Sequence, residues 1–374
     1  MTILIDTPAT STTRGTRSRC DTELDTELDM GLDMGLDMGL DTGLIEEPFA
    51  DIVDDLTRRG LIGIGLGGAA TLGLAACGGS GSASGDDTSA AAGTRTISTA
   101  KGKVEVPATP TRVVCIHPSA SATLYDLGLT PVGVYDQGSS YISPRYLTTW
   151  NAAPKIGSDG ELSLEKIAAL NPDLILGEDF SWNTDSYAKL TALAPTVIAP
   201  VTSWEAAART TADAVNRTAA LDKLARQVAA RSAQIERQYA DLLGRYRWDI
   251  LQGGFDAGQF WLYGPACDAG RILAGAGVRF APSSKAVKGA GDKVYSYERI
   301  GLLDDADVIG YYSNYDGTPN NEAPELFAQA AYQALPAVKA GRTVPLPDFL
   351  PGGYGDALAL LDELETGLAK LAGL

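Results

Sequence analysis

Side chains able to do acid–base, nucleophilic or metal chemistry are scarce in this sequence. The 374 residues hold one histidine, His117, and all four methionines precede Cys77. A zinc site with several histidine ligands is therefore excluded, and no G-x-S-x-G turn is present. A Ser-His-Asp triad would have to use His117 with no serine marked as its partner, which disfavours an enzyme. Cys115 and Cys267 could either pair or remain buried free thiols.

A glycine pattern near the N-terminus resembles a nucleotide-binding turn. Gly63, Gly65 and Gly68 satisfy G-x-G-x-x-G, which cradles a pyrophosphate when it follows a strand and opens a helix. Here two arginines precede the pattern and no strand does, so we discount a dinucleotide site. The apolar run 61–76 has five glycines in 16 residues. It is too short and too weakly apolar for a membrane-spanning helix, which needs about 20 residues.

The same stretch fits a lipoprotein signal peptide. The arginine pair Arg58 and Arg59 would form its positive region, the apolar run its hydrophobic region, and LAAC at 74–77 resembles a lipobox. In a lipobox the cysteine, here Cys77, is lipidated and becomes the new N-terminus. Residues 57–62 resemble the twin-arginine export motif, and general secretion is the alternative. We expect Cys77 to anchor the mature chain to the extracytoplasmic face of the cell membrane.

The remaining N-terminal residues predict no folded domain. Residues 21–44 are six D-x-x-L tetrads, in which leucine every fourth residue drifts around a helix that the glycines weaken. We expect a disordered leader that is discarded on export, and translation could start at Met30, Met34 or Met38. The chain has a net charge of −17 with no basic patch, which excludes nucleic acid as a partner.

Short apolar strands alternating with helices predict an α/β fold with a parallel sheet after residue 95. Between two such regions, Thr218 to Tyr246 contains no glycine or proline before Gly244, and its apolar residues fall near helical spacing. About 26 helical residues would span roughly 39 Å, the width of a domain. The expected architecture is therefore two α/β lobes joined by a single long helix.

These patterns give five expected segments. They are a leader and signal peptide (1–76), a lipid-anchored flexible tether (77–94), an N-terminal α/β lobe (95–203), a helical segment with the long linker helix (204–246) and a C-terminal α/β lobe (247–374).

An internal repeat supports two related lobes. Residues 163–171 match residues 296–304, and each copy places a serine two residues before a glutamate, Glu165 or Glu298, at a helix start. Each copy continues into an Asp-apolar-Ile strand, at Asp173 and Asp307. Serine capping and an acidic first turn explain one copy well. They explain two copies at equivalent places less well.

With these features in place, the chain resembles the substrate-binding lipoproteins of ABC importers whose lobes are joined by one rigid helix. It most resembles the ferric-siderophore binders. The stretches that carry the resemblance are 104–134, 162–177, 189–200, 298–310 and 331–347. The resemblance implies an α/β fold of two Rossmann-like lobes joined by a single long helix, with a ligand cleft between them. It further implies a monomer without a cofactor or protein metal ligands, because the siderophore already chelates the iron. It also implies that Glu165 and Glu298 dock onto arginines of the membrane permease.

The ligand should lie beyond the carboxyl ends of the strands, where open parallel sheets bind ligands. Aromatic residues gather in these loops, and aromatic walls with Arg or Tyr donors suit a bulky ferric complex. The candidate ligand-binding residues are His117, Tyr141, Arg145, Trp182, Phe255, Tyr263, Tyr312 and Tyr315.

Two alternatives remain at this point. The same fold could bind haem, with His117 and either Tyr312 or Tyr263 as iron ligands, or it could bind a corrinoid. A surface hydrolase or adhesion domain is the third hypothesis, but it lacks a catalytic constellation and leaves the Glu165 and Glu298 repeat unexplained. The siderophore class stays open, and the acidic body favours hydroxamates over catecholates.

Overall fold

A computed structural model describes residues 93–289, 291–321 and 323–373. The expected leader, signal peptide and lipidated Cys77 lie outside the described residues, as does most of the expected tether. No helix within the described ranges is both long and apolar enough to cross a membrane.

The described chain opens with a hairpin that the sequence did not predict. Its strands β1 (Thr94–Thr99) and β2 (Gly102–Pro107) pair antiparallel. The turn residue Ala100 donates its N–H to the Ile198 carbonyl at 2.8 Å, and Arg95 forms an ion pair with Asp213 at 3.2 Å. These contacts attach the hairpin to the first lobe.

The first lobe is built on a six-stranded sheet with the order β6-β5-β4-β3-β7-β8, in which only β6 runs antiparallel to its neighbour. Its strands are β3 (Val113–Cys115), β4 (Gly133–Asp136), β5 (Lys155–Ser158), β6 (Glu161–Leu162), β7 (Leu174–Glu178) and β8 (Thr196–Ala199). Every residue of β3, β7 and β8 is buried, as expected for parallel strands covered on both faces.

Helices cover both faces of this sheet. They are α1 (Pro118–Asp126), α2 (Pro144–Ala152), α3 (Leu164–Ala169), α4 (Ser181–Thr184), α5 (Tyr187–Leu193) and α6 (Trp204–Ala214), with a 3-10 turn at Ser139–Tyr141.

The linker helix is shorter than the uninterrupted helix expected over 218–246. Helix α7 (Thr218–Gln238) has 21 residues, or about 32 Å, and a separate helix α8 (Ala240–Arg245) follows it. The break lies at Tyr239, whose backbone leaves the helical region (φ −116°, ψ 23°). No glycine or proline marks this break, which is why the sequence pattern did not reveal it.

The second lobe has a mixed sheet with the order β12-β10-β9-β13-β14, and β11 pairs with β9. Its strands are β9 (Arg247–Gly253), β10 (Gln259–Tyr263), β11 (Arg279–Phe280), β12 (Asp292–Ser296), β13 (Val308–Tyr312) and β14 (Thr343–Leu346). Strand β10 runs antiparallel to β9 because the loop 254–258 is too short for a crossover. Here the expected parallel alternation holds for β9, β13 and β14, which pair parallel.

The helices of the second lobe end with the longest one in that lobe. They are α9 (Asp268–Gly275), α10 (Pro282–Lys285), α11 (Ala323–Ala328), α12 (Ala330–Ala334), α13 (Pro336–Lys339) and α14 (Tyr354–Ala372), with a 3-10 segment at Tyr297–Asp305. Helix α14 packs against the linker helix α7 and against α1 of the first lobe. The Gly355 N–H donates to the Asp126 carboxylate at 2.9 Å, so α14 connects the two lobes.

The internal repeat corresponds to equivalent structure in both lobes. In the first lobe the Asp173 carboxylate accepts from the Arg112 N–H at 2.9 Å, and in the second Asp307 accepts from the Arg247 N–H at 2.9 Å. Each aspartate thus joins the start of one strand to the start of its neighbour. The two lobes share this arrangement although their sheets differ in strand direction.

The two cysteines in the described residues are not joined in a disulfide. Cys115 is buried in β3, and Cys267 is buried at the start of α9, where its Sγ accepts from the Gly270 N–H at 3.2 Å. Of the two possibilities left by the sequence, two thiols without a disulfide between them are therefore observed.

Candidate ligand-binding cleft

A cavity of about 140 Å³ lies between the lobes, and we call it the cleft. Loops that follow β3, β4 and β7 line it from the first lobe, and loops that follow β13 and β14 line it from the second. The parallel strands of both sheets direct their carboxyl ends to this place, as the sequence analysis expected. The aromatic, acidic and histidine residues that line the cleft are His117, Tyr125, Tyr141, Tyr146, Phe180, Asp268, Tyr312, Tyr315, Asp348, Phe349 and Asp356.

His117 is held in the first-lobe wall by a backbone hydrogen bond and by stacking on two aromatic rings. It precedes α1, and its Nδ1 accepts from the Ser119 N–H at 3.3 Å. Its ring stacks on Phe180 at 5.2 Å and on Trp182 at 5.3 Å between centroids. Its Nδ1 also lies 3.5 Å from the buried Glu178 carboxylate. This packing describes a wall residue, because the imidazole stacks on two neighbouring rings and is hydrogen-bonded to the backbone at Ser119.

Trp182 lies one layer behind the cleft surface. It packs between His117 and Tyr135, whose ring centroid is 4.6 Å away, and it is not among the residues that line the cavity. Phe180, two residues earlier, does line it. The strand-end rule therefore identified the correct loop, and the fold decided which of its two rings faces the cavity.

Five tyrosines line the cleft, and three of them come from the predicted set. Tyr141 precedes α2, while Tyr312 ends β13 and Tyr315 follows it. Burial raises the pKa of Tyr312 well above its ordinary value. Its hydroxyl thus stays protonated and can serve as a hydrogen-bond donor to ligand oxygens, whereas a phenolate iron ligand is disfavoured.

Two other predicted residues lie away from the cleft. Tyr263 is buried in the second-lobe core, where its hydroxyl donates to Gln252 at 2.7 Å. Phe255 is 43% exposed in the β9–β10 loop, edge-on to Trp261. Neither lines the cavity. Phe255 follows β9 and Tyr263 ends β10, and of the chain between β10 and β11 it is Asp268 and its neighbours that reach the cavity.

Arg145 joins the two lobes. It lies in the first turn of α2, and its guanidinium contacts Asp348 at 3.1 Å and Asp356 at 3.3 Å, both in the second lobe. Tyr315 adds a hydrogen bond to Asp348 at 3.1 Å. Arg145 was predicted to point at ligand oxygens, but its guanidinium is engaged by two carboxylates that themselves line the cavity.

Carboxyl groups outnumber cations around Arg145. Asp126 of α1 lies beside Asp356, and Glu363 of α14 accepts from the Asp348 N–H at 3.2 Å. Burial raises the pKa of Asp356, and the nearby charges of Asp348 and Asp126 raise it further. Burial also raises the pKa values of Asp348, Asp126 and Glu363. The cluster therefore holds protons at a pH where carboxyl groups in water have lost them.

The acidic and aromatic residues after β14 were missed by the sequence analysis. Asp348 and Phe349 directly follow this last strand, and Asp356 opens the helix after it. The strand-end rule that identified the other loops applies to β14 as well. Extending it to that strand would have found Asp348 and Phe349, while Asp356 required the fold.

The two repeated glutamates are exposed, one in each lobe. Glu165 lies in the first turn of α3, and Glu298 lies in the first turn of the 3-10 segment that precedes β13. Glu165 and Glu298 thus open the segments that lead into β7 and β13, and neither lines the cavity.

Within the described ranges, no group of three or more His, Cys, Asp or Glu side chains is arranged to hold a metal ion.

Comparisons with known proteins point to one family. The family model for the periplasmic binding protein matches residues 113–349. The probable siderophore-binding lipoprotein YfiY of Bacillus subtilis is 29% identical over 314 residues, which cover 79% of this chain and 94% of that protein. YhfQ of the same organism is 39% identical over 98 residues, 26% of this chain and 30% of that protein.

A solved structure has the same fold. The siderophore periplasmic binding protein from the fuscachelin gene cluster of Thermobifida fusca aligns with a TM-score of 0.63 at 26% identity. The alignment covers 71% of this chain and 98% of that chain. The two-lobed α/β architecture is therefore shared with a siderophore-binding protein.

Proposed function

Because the chain belongs to the periplasmic binding protein family, we propose that it captures a ferric siderophore and delivers it to the permease of an ABC importer. The observation that carries the proposal is the cleft between the lobes, walled by His117, Phe180 and Phe349 and by tyrosine hydroxyls. Flat rings suit the body of a chelate, and hydroxyl donors suit the oxygens around ferric iron. YfiY, a probable siderophore-binding lipoprotein, supports the same function over most of its length.

The ligand-binding set is proposed from placement. Tyr141, Tyr312 and Tyr315 keep their expected role, and Phe180 and Phe349 join them. The other predicted residues take different roles in the proposal. His117 and Trp182 form the layered wall and Arg145 joins the lobes. Phe255 and Tyr263 are no longer proposed to contact the ligand.

Binding of a whole chelate requires the cleft to widen. Sites for drug-sized ligands occupy about 300–1,000 Å³, whereas this cavity measures about 140 Å³. The contacts of Arg145 with Asp348 and Asp356 cross between the lobes at its edge. We propose that the loops bearing these residues separate when the siderophore enters.

Docking and anchoring complete the proposed function. Glu165 and Glu298 would meet basic residues of the permease, one in each lobe, as the family resemblance implies. Cys77, outside the described residues, would carry the lipid that holds the protein at the membrane surface. Both steps concern the protein as a carrier, and no catalytic step is proposed.

Tryptophan fluorescence tests the proposed function directly. Trp182 lies one ring behind the cleft wall, so a ferric chelate bound there should quench its emission. Titration with a panel of ferric hydroxamates, catecholates and citrates should give saturable quenching for at least one class. Trp182→Phe should lose much of the quenching and keep affinity. A panel without any saturable response would contradict the proposal.

A further inference from the structure

In its described part, the cleft wall carries acidic side chains without basic ones. Its charged residues are Asp268, Asp348 and Asp356, and no lysine or arginine occurs among the described residues that line it. Asp268 already has a partner, since Arg271 contacts it at 2.6 Å outside the cavity. Among the described residues, Asp348 and Asp356 are therefore the acidic groups of the wall that a ligand would meet without a basic partner from the same lobe.

Arg145 neutralises this field only in part. One guanidinium faces the carboxyl groups of Asp348 and Asp356 directly, and Asp126 and Glu363 lie in the same cluster. One positive charge would not balance these four carboxyl groups if all of them were ionised. The surplus makes the apo cleft hold protons, and it would attract a cation offered in place of those protons.

The neutral part of the wall also suits a cation. Aromatic faces attract positive charge, and rings from both lobes meet here. Phe180 and His117 belong to the first lobe, while Tyr312 and Phe349 lie 6.2 Å apart in the second. Tyrosine hydroxyls can donate to the oxygens of the chelate without supplying charge.

We propose that the cleft selects ferric chelates bearing a positively charged amine, which it directs to Asp348 and Asp356, and that it discriminates against anionic chelates. This inference rests on the proposed function and names the substrate class of the same cleft. An uncharged ferric trihydroxamate core with a free terminal amine meets the requirement. Ferric tricatecholates and ferric citrates bring negative charge toward two carboxylates and are repelled.

One chelator provides a matched series of probes. The ferric complex of desferrioxamine B has a free ammonium group, its N-acetyl derivative is uncharged, and its N-succinyl derivative is anionic, while the iron-binding groups stay the same. Tryptophan quenching should give an affinity for the ammonium form at least about tenfold above that for the succinyl form, with the acetyl form between them. Equal affinities, or the reverse order, would overturn the inference.

Two variants locate the preference within the cleft. Asp348→Asn and Asp356→Asn should each reduce the ratio of ammonium to acetyl affinity severalfold, whatever change the loss of the Arg145 contact makes to both affinities alike. Asp241→Asn, an exposed aspartate of α8, removes the same charge far from the cleft and should leave the ratio unchanged. An unchanged ratio in both cleft variants would overturn the assignment to these carboxylates.

A pH titration of the unmodified protein gives a second measurement that needs no variant. Asp348 and Asp356 face Arg145, Asp126 and Glu363, and burial raises their pKa values. They lose protons as the pH rises, so the ratio of ammonium to acetyl affinity should grow between pH 6 and pH 8. A ratio that stays constant or falls counts against the inference.

The inference and the proposed function fail in different ways. If none of the three complexes and no ferric catecholate or citrate binds, the proposed function fails. If ferric chelates bind but the anionic ones bind most tightly, the proposed function stands and the charge selectivity is wrong.

Discussion

Single side chains in the cleft divide between those that face the cavity and those that support it. His117 stacks on Phe180 and Trp182 and its Nδ1 accepts from the Ser119 N–H, so packing in the wall accounts for its position. Tyr312 lines the cavity as a protonated donor. Predictions about individual residues therefore depend on which layer each one occupies.

Removing a ring from the cavity surface should weaken ligand binding. Phe180→Ala or Tyr312→Ala should cost about 1–3 kcal/mol of binding free energy for the ferric chelate that quenches fluorescence, because each removes a packed wall. Phe255→Ala, an exposed ring outside the cavity, is the matched control and should bind normally. Unaffected dissociation constants for both cleft variants would mean that the ligand binds elsewhere.

Asp356 should make the apo protein less stable as the pH rises. Burial and the charges of Asp348 and Asp126 raise its pKa to about 8, above the value near 4 of an unfolded aspartate. A raised folded pKa contributes stability that is present below about pH 4 and is lost as the pH rises through about 8. We expect the free energy of unfolding to fall by about 1–3 kcal/mol between pH 5 and pH 8.

The variant Asp356→Asn should flatten this pH dependence, because the amide cannot ionise. Its one carbonyl oxygen can replace one of the two carboxylate oxygens that accept from Arg145 and from the Gly352 N–H. Chemical denaturation at several pH values measures the slope. Asp241→Asn, exposed on α8, should keep the slope of the unmodified protein. A slope that Asp356→Asn leaves unchanged would assign the effect to other buried carboxyls such as Asp249, whose pKa burial raises to about 6.

At the scale of elements, α14 decides how the lobes meet. It packs against α7 along its length, and its first turn contacts Asp126 and Tyr146 of the first lobe. A side chain on Gly355 would come within 2.2 Å of the Tyr146 hydroxyl and 2.3 Å of the Asp126 carboxylate. The first turn of α14 thus approaches the first lobe as closely as glycine allows.

Adding one methyl group at this contact should loosen the lobes. Gly355→Ala should lower the free energy of unfolding by about 1–3 kcal/mol, because two side chains must move. Gly244→Ala, with open space around it on α8, should be neutral or stabilising by up to about 1 kcal/mol. Thermal unfolding of the two variants measures the difference between their melting temperatures. Equal melting temperatures would show that the contact is not tight.

The starts of α3 and of the 3-10 segment should matter for transport rather than for binding. Replacing both Glu165 and Glu298 with Ala should keep ligand affinity and melting temperature, since exposed charges contribute little to stability. Uptake of labelled ferric siderophore should fail, because paired charges orient protein partners. Each single change should give a partial defect.

A matched pair of exposed glutamates, Glu105 and Glu325, controls for the loss of two charges, and their replacement should leave uptake normal. Normal uptake by the Glu165 and Glu298 double variant would return both residues to ordinary helix-start positions. Lost ligand affinity would instead move them into the binding site.

At the scale of the whole molecule, the proposed role requires a folded carrier held at the membrane. Cys77→Ser should block lipidation and release soluble protein that still binds its ligand, because the cleft is built from residues far along the chain. Metabolic labelling with palmitate and cell fractionation measure this outcome. Replacing Arg58 and Arg59 with lysine should stop export only if the twin-arginine route is used.

Local sequence patterns were sufficient to predict many of the strands, the two lobes and the loops of the cleft. Buried strands such as β3 and β7 are continuous apolar runs in the sequence. The repeat around Glu165 and Glu298 predicted two related lobes. Strand ends then identified the loops of the cleft, because parallel strands bring their carboxyl ends to one edge. These conclusions depend on sequence periodicity and chain direction, which neighbouring residues specify.

The tertiary structure decided which side chains face the ligand and which face one another. Periodicity could not distinguish Phe180 from Trp182, since both follow the same strand. It could not reveal that Arg145 meets Asp348 and Asp356, because the two sides of that contact lie about 200 residues apart. Contacts between lobes depend on how distant elements pack, and no short stretch of sequence encodes that packing.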